Sequence, residues 1–366
     1  MREKIWESLL PGEGTKFAMG FMAVGLIVMC IAGASAGAFA DATRTASAPF
    51  GAAVAARQTK TPTQGDAAAV AAPAQTAATR IITDEVGRRV AVPVDVRRIV
   101  TLAPDLTETV YTLGLGAKLA GDTDYCDTPP EAKLKPHVGN AQNPSLEAIL
   151  ALHPDLVLAT TSINRRETVD ALERMGLAVY TSDPHTVLGA LDSAQRMGEI
   201  AGAGAAGAAA VAALRERLDA LHARLEDRPM VHVLFVVWED PLITIGQNTF
   251  IADALRWAGA ESVIISSQNW PRIGLEEVVR LQPEYIVLAA DHAAAQGNSA
   301  ERLRTRPVWR DMPAVREGHV VMADDEATKP STGLVEAIEQ LARALHPEAF
   351  SASNERAQQQ ELACAR

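Results

Sequence analysis

Apolar and polar positions along this chain follow two periods that alternate in blocks. RIITDEVGRRVAVP, from Arg80, predicts two short strands around a turn at Gly87. Ile99–Leu102 is an apolar run that meets Pro104. It predicts a buried strand, then a helix capped by Thr107 and stopped at Gly114 or Gly116. NPSLEAILALHPDLVLAT (143–160) reads as a helix, a proline stop and a strand at 156–159. VDALERMGLAVYTSD (169–183) adds another helix and strand. Strands that alternate with helices indicate a parallel sheet wrapped by helices.

From Thr186 the period becomes purely helical. Val187, Ala190, Leu191, Ala194, Met197 and Ile200 mark one stripe. Beyond a glycine cluster, Val211, Leu214, Leu218, Leu221 and Leu225 mark a second, so 205–226 predicts a helix about 33 Å long, ended near Pro229. The α/β rhythm then returns. VHVLFVVW (231–238) and PLITIG predict strands, NTFIADALRWAGA a helix, and GLEEVVRLQPEYIVLAA (274–290) a second helix–proline–strand unit. Residues 348–366 read as a polar tail.

Two of these segments echo each other at an offset of 129 residues, LEAILALHPDLVLA from Leu146 and LEEVVRLQPEYIVL from Leu275. The echo predicts two similar lobes on either side of the long helix, and it places Glu147 and Glu276 at equivalent helix starts. Acids there complement the helix dipole; the same pair, one per lobe, also suits docking on a basic partner.

The glycine cluster contains GAGAAG (202–207), which has the spacing of a dinucleotide-binding turn. That turn needs a strand before its first glycine. A helix stands there instead, so the cluster reads as a break between helices. GASAG (33–37) matches a nucleophile-elbow spacing but lies inside an apolar segment. The chain has no G-x-x-x-x-G-K-[ST] and no H-E-x-x-H. It does not read as an enzyme, and no cofactor is expected.

The first 79 residues stand apart. Residues 17–40 are apolar without a charge and end in Ala38-Phe39-Ala40, a signal peptide or an N-terminal membrane anchor. Residues 41–79 are rich in Ala, Thr, Gln and Pro, a linker reaching about 35 Å as a flexible coil. The chain therefore divides into 1–40, linker 41–79, an α/β lobe 80–185, a helical segment 186–227, a second lobe 228–347 and a tail 348–366.

The net charge of −11 excludes a nucleic-acid surface. Three cysteines make no disulfide framework; Cys126 reads as a small packed residue, and Cys364 lies in the tail. The eight histidines are scattered without metal-ligand spacing.

RIVTLAPDLTETVYTLGLG, DYCDTPPEA, NPSLEAILALHPDLVLA and NTFIADALRWAGAES, in this order, resemble periplasmic substrate-binding proteins of ABC importers, of the cobalamin and iron-complex type. The likeness covers about residues 80–346. It implies an α/β fold of two Rossmann-like lobes bridged by a single long backbone helix, with the ligand cleft between the lobes. It also implies a monomer when free, located in the periplasm, with an ABC permease and its ATPase as partners and a corrinoid or iron complex as the transported ligand.

Residue by residue, the resemblance assigns Glu147 and Glu276 to permease docking. It puts Tyr125 and Trp270 against the ligand, with Asp325 and Lys329 near the polar contacts. Two further positions where the family carries aromatics read Ala141 and Thr160. Trp238, at a strand end in VVWEDP, is an added candidate that reads equally as a core residue. Haem or a ferric siderophore is the alternative ligand. Tyr125, His137 and His185 are the axial candidates for haem, and an arginine cluster suited to siderophores is absent. A membrane-tethered sensing module is the alternative in another class.

Overall fold

The fold is given by a computed structural model that describes residues 78–289 and 300–351 of the 366. The apolar stretch 17–40, the linker up to residue 77, Cys30 and Cys364 lie outside the described residues.

The N-terminal lobe opens with a hairpin of β1 (Thr79–Thr83) and β2 (Arg89–Pro93). Its turn passes through Gly87 at φ 83° and is fixed by Asp84, which accepts from the Arg88 backbone and guanidinium. The lobe continues with β3 (Ile99–Thr101), α1 (Pro104–Thr112), β4 (Leu119–Gly121), β5 (Gly139–Asn140) and β6 (Asn143–Pro144). It closes with α2 (Leu146–Ala151), β7 (Leu156–Thr160), α3 (Arg166–Arg174) and β8 (Val179–Ser182). The sheet β4-β3-β7-β8 is wholly parallel.

Thr107 does not cap α1. Pro104 takes the first helical position, where its missing N–H costs nothing, and Ala103 becomes the cap. Thr107 lies buried one turn later, with its hydroxyl shared among Thr101, the Ala103 carbonyl and Cys126 Sγ.

Two helices connect the lobes. α4 (Val187–Ala201) is capped by the Thr186 hydroxyl and α5 (Gly204–Leu225) follows after two residues. Gly202 and Gly204 hold φ 76° and 63° between them, left-handed values that glycine adopts freely. GAGAAG is therefore a helix–helix break, as its context predicts.

α4 is held by both lobes. Arg80 and Lys118 donate to its last carbonyls, at Ile200 and Ala201, while Asp253 accepts from Val187 N at its start. α5 begins against Leu113, where Gly207 packs, and ends with Leu225 against Gly259.

The C-terminal lobe repeats the first. β9 (Val231–Val236), a small hairpin of β10 (Trp238–Glu239) and β11 (Leu242–Ile243), α6 (Phe250–Trp257) and β12 (Ala260–Ser262) come in order. α7 (Leu275–Leu281), β13 (Tyr285–Ala289), α8 (Ala300–Thr305), α9 (Pro313–Arg316), β14 (Val320–Ala323) and α10 (Leu334–Leu345) complete it. The sheet β12-β9-β13-β14 is again parallel. In both lobes the order is second strand, first, third, fourth.

The main hydrophobic core runs through both lobes by way of the helices between them, from Val110 and Leu113 through Met197, Leu214 and Leu218 to Leu255 and Ile338. Smaller clusters cover the other face of each sheet. The expected tail is partly structured: Phe350 packs on the core under the guanidinium groups of Arg224 and Arg343.

Candidate ligand-binding site

In an open parallel sheet the crevice for a ligand lies at the carboxyl ends of the strands, where the strand order reverses. Here that point falls between first and third strands, β9 and β13 in the C-terminal lobe and β3 and β7 in the N-terminal lobe.

The two crevices differ. In the N-terminal lobe it is filled by Asn164. Its amide donates to the carbonyls of Leu102 and Ala141, 2.8 Å each, and its Oδ1 accepts from Thr160 N at 2.8 Å. Ala141 and Thr160 are buried in this network.

In the C-terminal lobe the crevice is open, a cavity of about 160 Å³. Phe235 and Val237 at the end of β9, Ala289 at the end of β13 and Ile251 of α6 form its apolar walls. Trp270, Asp325 and Thr328 complete it. Trp270 and Asp325, expected at the site, are thus brought together.

The Trp270 loop is tied to the strand beside it. Thr244 N donates to Pro271 O at 3.1 Å and Gly246 N to Asn269 O at 2.9 Å. Gly246 lies so close to the Gln268 carbonyl that no Cβ fits. Asp325 and Thr328 belong to a single 3₁₀ turn after β14, capped by Asp324 accepting from Glu326 N. Trp270 is 51% exposed, an aromatic held at the rim of a fixed cavity.

The other expected residues are not part of its wall. Lys329 closes the 3₁₀ turn and pairs with Glu326 at 3.6 Å. Trp238 is 37% exposed, so it is not a core residue, and its indole donates to Asp240 O. Tyr125, 63% exposed, stands on the loop after β4 in the N-terminal lobe. Beneath it Cys126 is buried as expected, against the hydroxyls of Thr107 and Thr123. Glu147 and Glu276 are exposed in the first turns of α2 and α7, each helix leading into the third strand of its sheet.

Sequence reasoning missed a group of acids. Asp105 and Glu108 on α1 lie by Glu326, which adjoins Asp325. Burial pushes Asp105 up to about 6, and burial together with the neighbouring Glu326 carboxyl pushes Glu108 up to about 8. Asp122 is fully buried against His137 Nδ1 at 2.6 Å, and desolvation raises it to about 6. APDLTETV gives an amphipathic helix and no hint that its acids meet another carboxylate 218 positions later.

Two lobes of one topology, a helical connection and an open crevice with an exposed aromatic at its rim define a two-lobed ligand-binding protein. Residues 99–327 match the family model of periplasmic binding proteins, and the chain belongs to that family. The family is one of substrate-binding transport proteins rather than enzymes.

Among its relatives, a vitamin B12-binding protein of Vibrio campbellii is 30% identical over 246 residues, 66% of this chain and 86% of that protein. The structure of the periplasmic vitamin B12 binding protein BtuF of Vibrio cholerae superposes with a TM-score of 0.60 at 26% identity, covering 70% of this chain and 99% of that one. The periplasmic heme-binding protein BhuT, in complex with two hemes, gives 0.63 at 25%, covering 69% and 99%. Both support the expected two-lobed, helical-backbone fold.

Proposed function

We propose that the protein captures a corrinoid between its lobes and delivers it to the permease of an ABC importer, whose separate ATPase supplies the energy. The observation that carries this reading is the character of the C-terminal crevice. Its walls are apolar, its polar groups are Asp325 and Thr328, and no arginine lines it among the described residues. A carboxylate facing an apolar cavity favours neutral amide donors and disfavours anionic groups. A corrin ring carries amide side chains, whereas haem carries propionates and many ferric siderophores carry anionic donors. The vitamin B12-binding relatives point the same way.

A cavity of 160 Å³ is too small to enclose a macrocycle. In this reading it takes one side group, while the ring lies against Trp270 from one lobe and Tyr125 from the other. Trp238, Asp325 and Lys329 supply the remaining contacts, and Glu147 and Glu276 dock the permease. The divisions 80–185, 186–227 and 228–347 correspond to lobe, connection and lobe. Haem is the second reading, favoured by the likeness to BhuT.

Titrating the protein with cyanocobalamin and with haem, read by tryptophan fluorescence, separates the two. Saturable quenching by cyanocobalamin with weak or no response to haem supports the corrinoid; the reverse assigns haem, and no response to either removes both.

The periplasmic location of its relatives supports the same location for this protein. No helix among the described residues is long and apolar enough to cross a membrane, and residues 17–40 lie outside them. We propose that this stretch directs export and is either removed or retained as an anchor. The mass of the protein from native membranes decides which, and intact residues 1–40 would favour the tethered sensing module.

A further inference from the structure

The hairpin of β10 and β11 stands between the crevice and the rest of its lobe. Its base is tied by backbone groups: Val237 N donates to Ile243 O at 2.9 Å, and the Thr244 hydroxyl donates to Phe235 O at 2.6 Å. Beyond that base the ladder is two residues long, with Trp238 opposite Ile243 and Glu239 opposite Leu242. A two-stranded ladder this short is at best marginal alone. Successive residues of a strand point to opposite faces, and cross-strand partners share one. Trp238 and Ile243 therefore lie on one face, Glu239 and Leu242 on the other.

The Glu239 face meets α8. The Glu239 side chain is 2% exposed; its Oε2 accepts from the Arg306 guanidinium just past α8, and Arg302 of the helix lies 3.7 Å from the same oxygen. Leu242 joins Leu303 of α8 in the hydrophobic cluster on that side of the sheet. Glu239 Oε1 is buried with no hydrogen-bond partner among the described residues. A buried carboxylate left half satisfied adds little stability, since apolar residues of similar volume do as well or better. What the ion pair does supply is a directed tie.

The rest of the hairpin passes that tie on to the site. Val237, next to Trp238, belongs to the cavity wall. β11 runs beside the Trp270 loop: Ile273 N donates to Leu242 O and Thr244 N to Pro271 O, 3.1 Å each, and Ile243 bridges to Arg272. We infer that Glu239 is a positioning residue of the ligand site. Its tie to Arg306 and Arg302 fixes the hairpin on α8, and so sets Trp238 directly and the Trp270 loop through β11. Its bearing on affinity rests on the function proposed above, in which both indoles meet the ligand; the placement itself holds without one.

The test is fluorine NMR of the full chain labelled with fluorotryptophan, the Trp238 and Trp270 signals being assigned by Trp238→Phe and Trp270→Phe. Glu239→Gln and Arg306→Gln should each move both signals and leave that of Trp257, which packs against His222 of α5, in place. In the same variants cyanocobalamin should bind about tenfold more weakly, as expected when the contacts supporting a site loosen. Glu239→Leu with Arg306→Met replaces the pair by apolar side chains. It should unfold close to the wild-type midpoint with both signals still displaced, and it decides the matter where a single variant does not fold. Signals at their wild-type positions in the folded variants overturn the inference, whether or not stability falls, and so do displaced signals with unchanged affinity. Wild-type protein that binds no cyanocobalamin removes the corrinoid reading instead, and the ligand-free signals still decide the placement.

Discussion

His153 and Gln282 occupy equivalent points of the two lobes and share an unusual backbone. Each follows the helix that leads to the third strand, each precedes a proline, and they hold φ 46° and 48°. Left-handed values are rare outside glycine, so their recurrence at the echo's own offset marks a repeated unit of structure rather than a shared composition. The same unit carries Glu147 and Glu276 at its other end, so the two exposed acids are equivalent by fold as well as by spacing.

That equivalence gives the docking proposal a sharp test. Glu147→Ala combined with Glu276→Ala is expected to abolish uptake in cells while leaving ligand affinity unchanged, because both acids are exposed and away from the cavity lining. Each single change should leave partial uptake, as charge pairs at separate contacts act nearly independently. Undiminished uptake in the double variant removes these acids from docking.

The open crevice predicts two opposite substitutions with one effect. Trp270→Ala removes the rim aromatic and should weaken binding at least tenfold, about 1.4 kcal/mol. Ile251→Phe fills the cavity from α6 and should weaken binding comparably, with a lower unfolding midpoint because Ile251 is also a buried core residue. Calorimetric titration and thermal unfolding of both variants check this. Ile251→Phe with wild-type affinity would show that the cavity takes no part of the ligand.

The strands and the helix–proline–strand units were legible because each is a local pattern, an apolar run bounded by Pro or Gly. The lobes' identity followed from the echo, and the helix break at GAGAAG from what flanks it. What was not legible depends on meetings between distant segments. Thr107 has the chemistry of a cap, but Pro104 three positions earlier fixes the helix start. Phe350 looks like a lone aromatic in a polar tail until Arg224 and Arg343 cover it. Trp270 and Asp325 came from family likeness, yet the walls between them, Phe235, Val237, Ile251 and Ala289, come from ends of elements that no local spacing connects. The Asn164 plug that closes the other lobe's crevice is likewise a product of three separate chain segments.

Buried acids set the response of stability to pH. Asp105 is held at about 6 in the folded chain, raised by burial above its ordinary value of 3.8. Between these pH values the folded protein binds more protons than the unfolded chain, so this group makes stability fall as pH rises from about 4 to 6 and adds no further change above that. The full loss is at most about 3 kcal/mol. Asp105→Asn removes this group's share and should make the curve of unfolding free energy shallower across that window, measured in urea at each pH, with Asp122 and Glu108 leaving the remaining slope. A slope unchanged from wild type would mean that Asp105 is ionised throughout.

The glycines between α4 and α5 make the last prediction, because they separate a structural role from a binding one. Gly204 has φ 63° with open space around its Cα. Alanine there meets no neighbour but must adopt a left-handed backbone, a cost of about 1–2 kcal/mol. Gly207 has ordinary helical geometry, yet an added Cβ would overlap Ala203 Cβ and sit 3.5 Å from Leu113 of the N-terminal lobe. Gly207→Ala therefore acts through the junction of α4 and α5, where Ala203 must shift to admit the added methyl. Both should lower the unfolding midpoint, and Gly204→Ala should leave ligand affinity within twofold of wild type. A phosphate-cradling turn would behave in the opposite way, with affinity lost and stability kept.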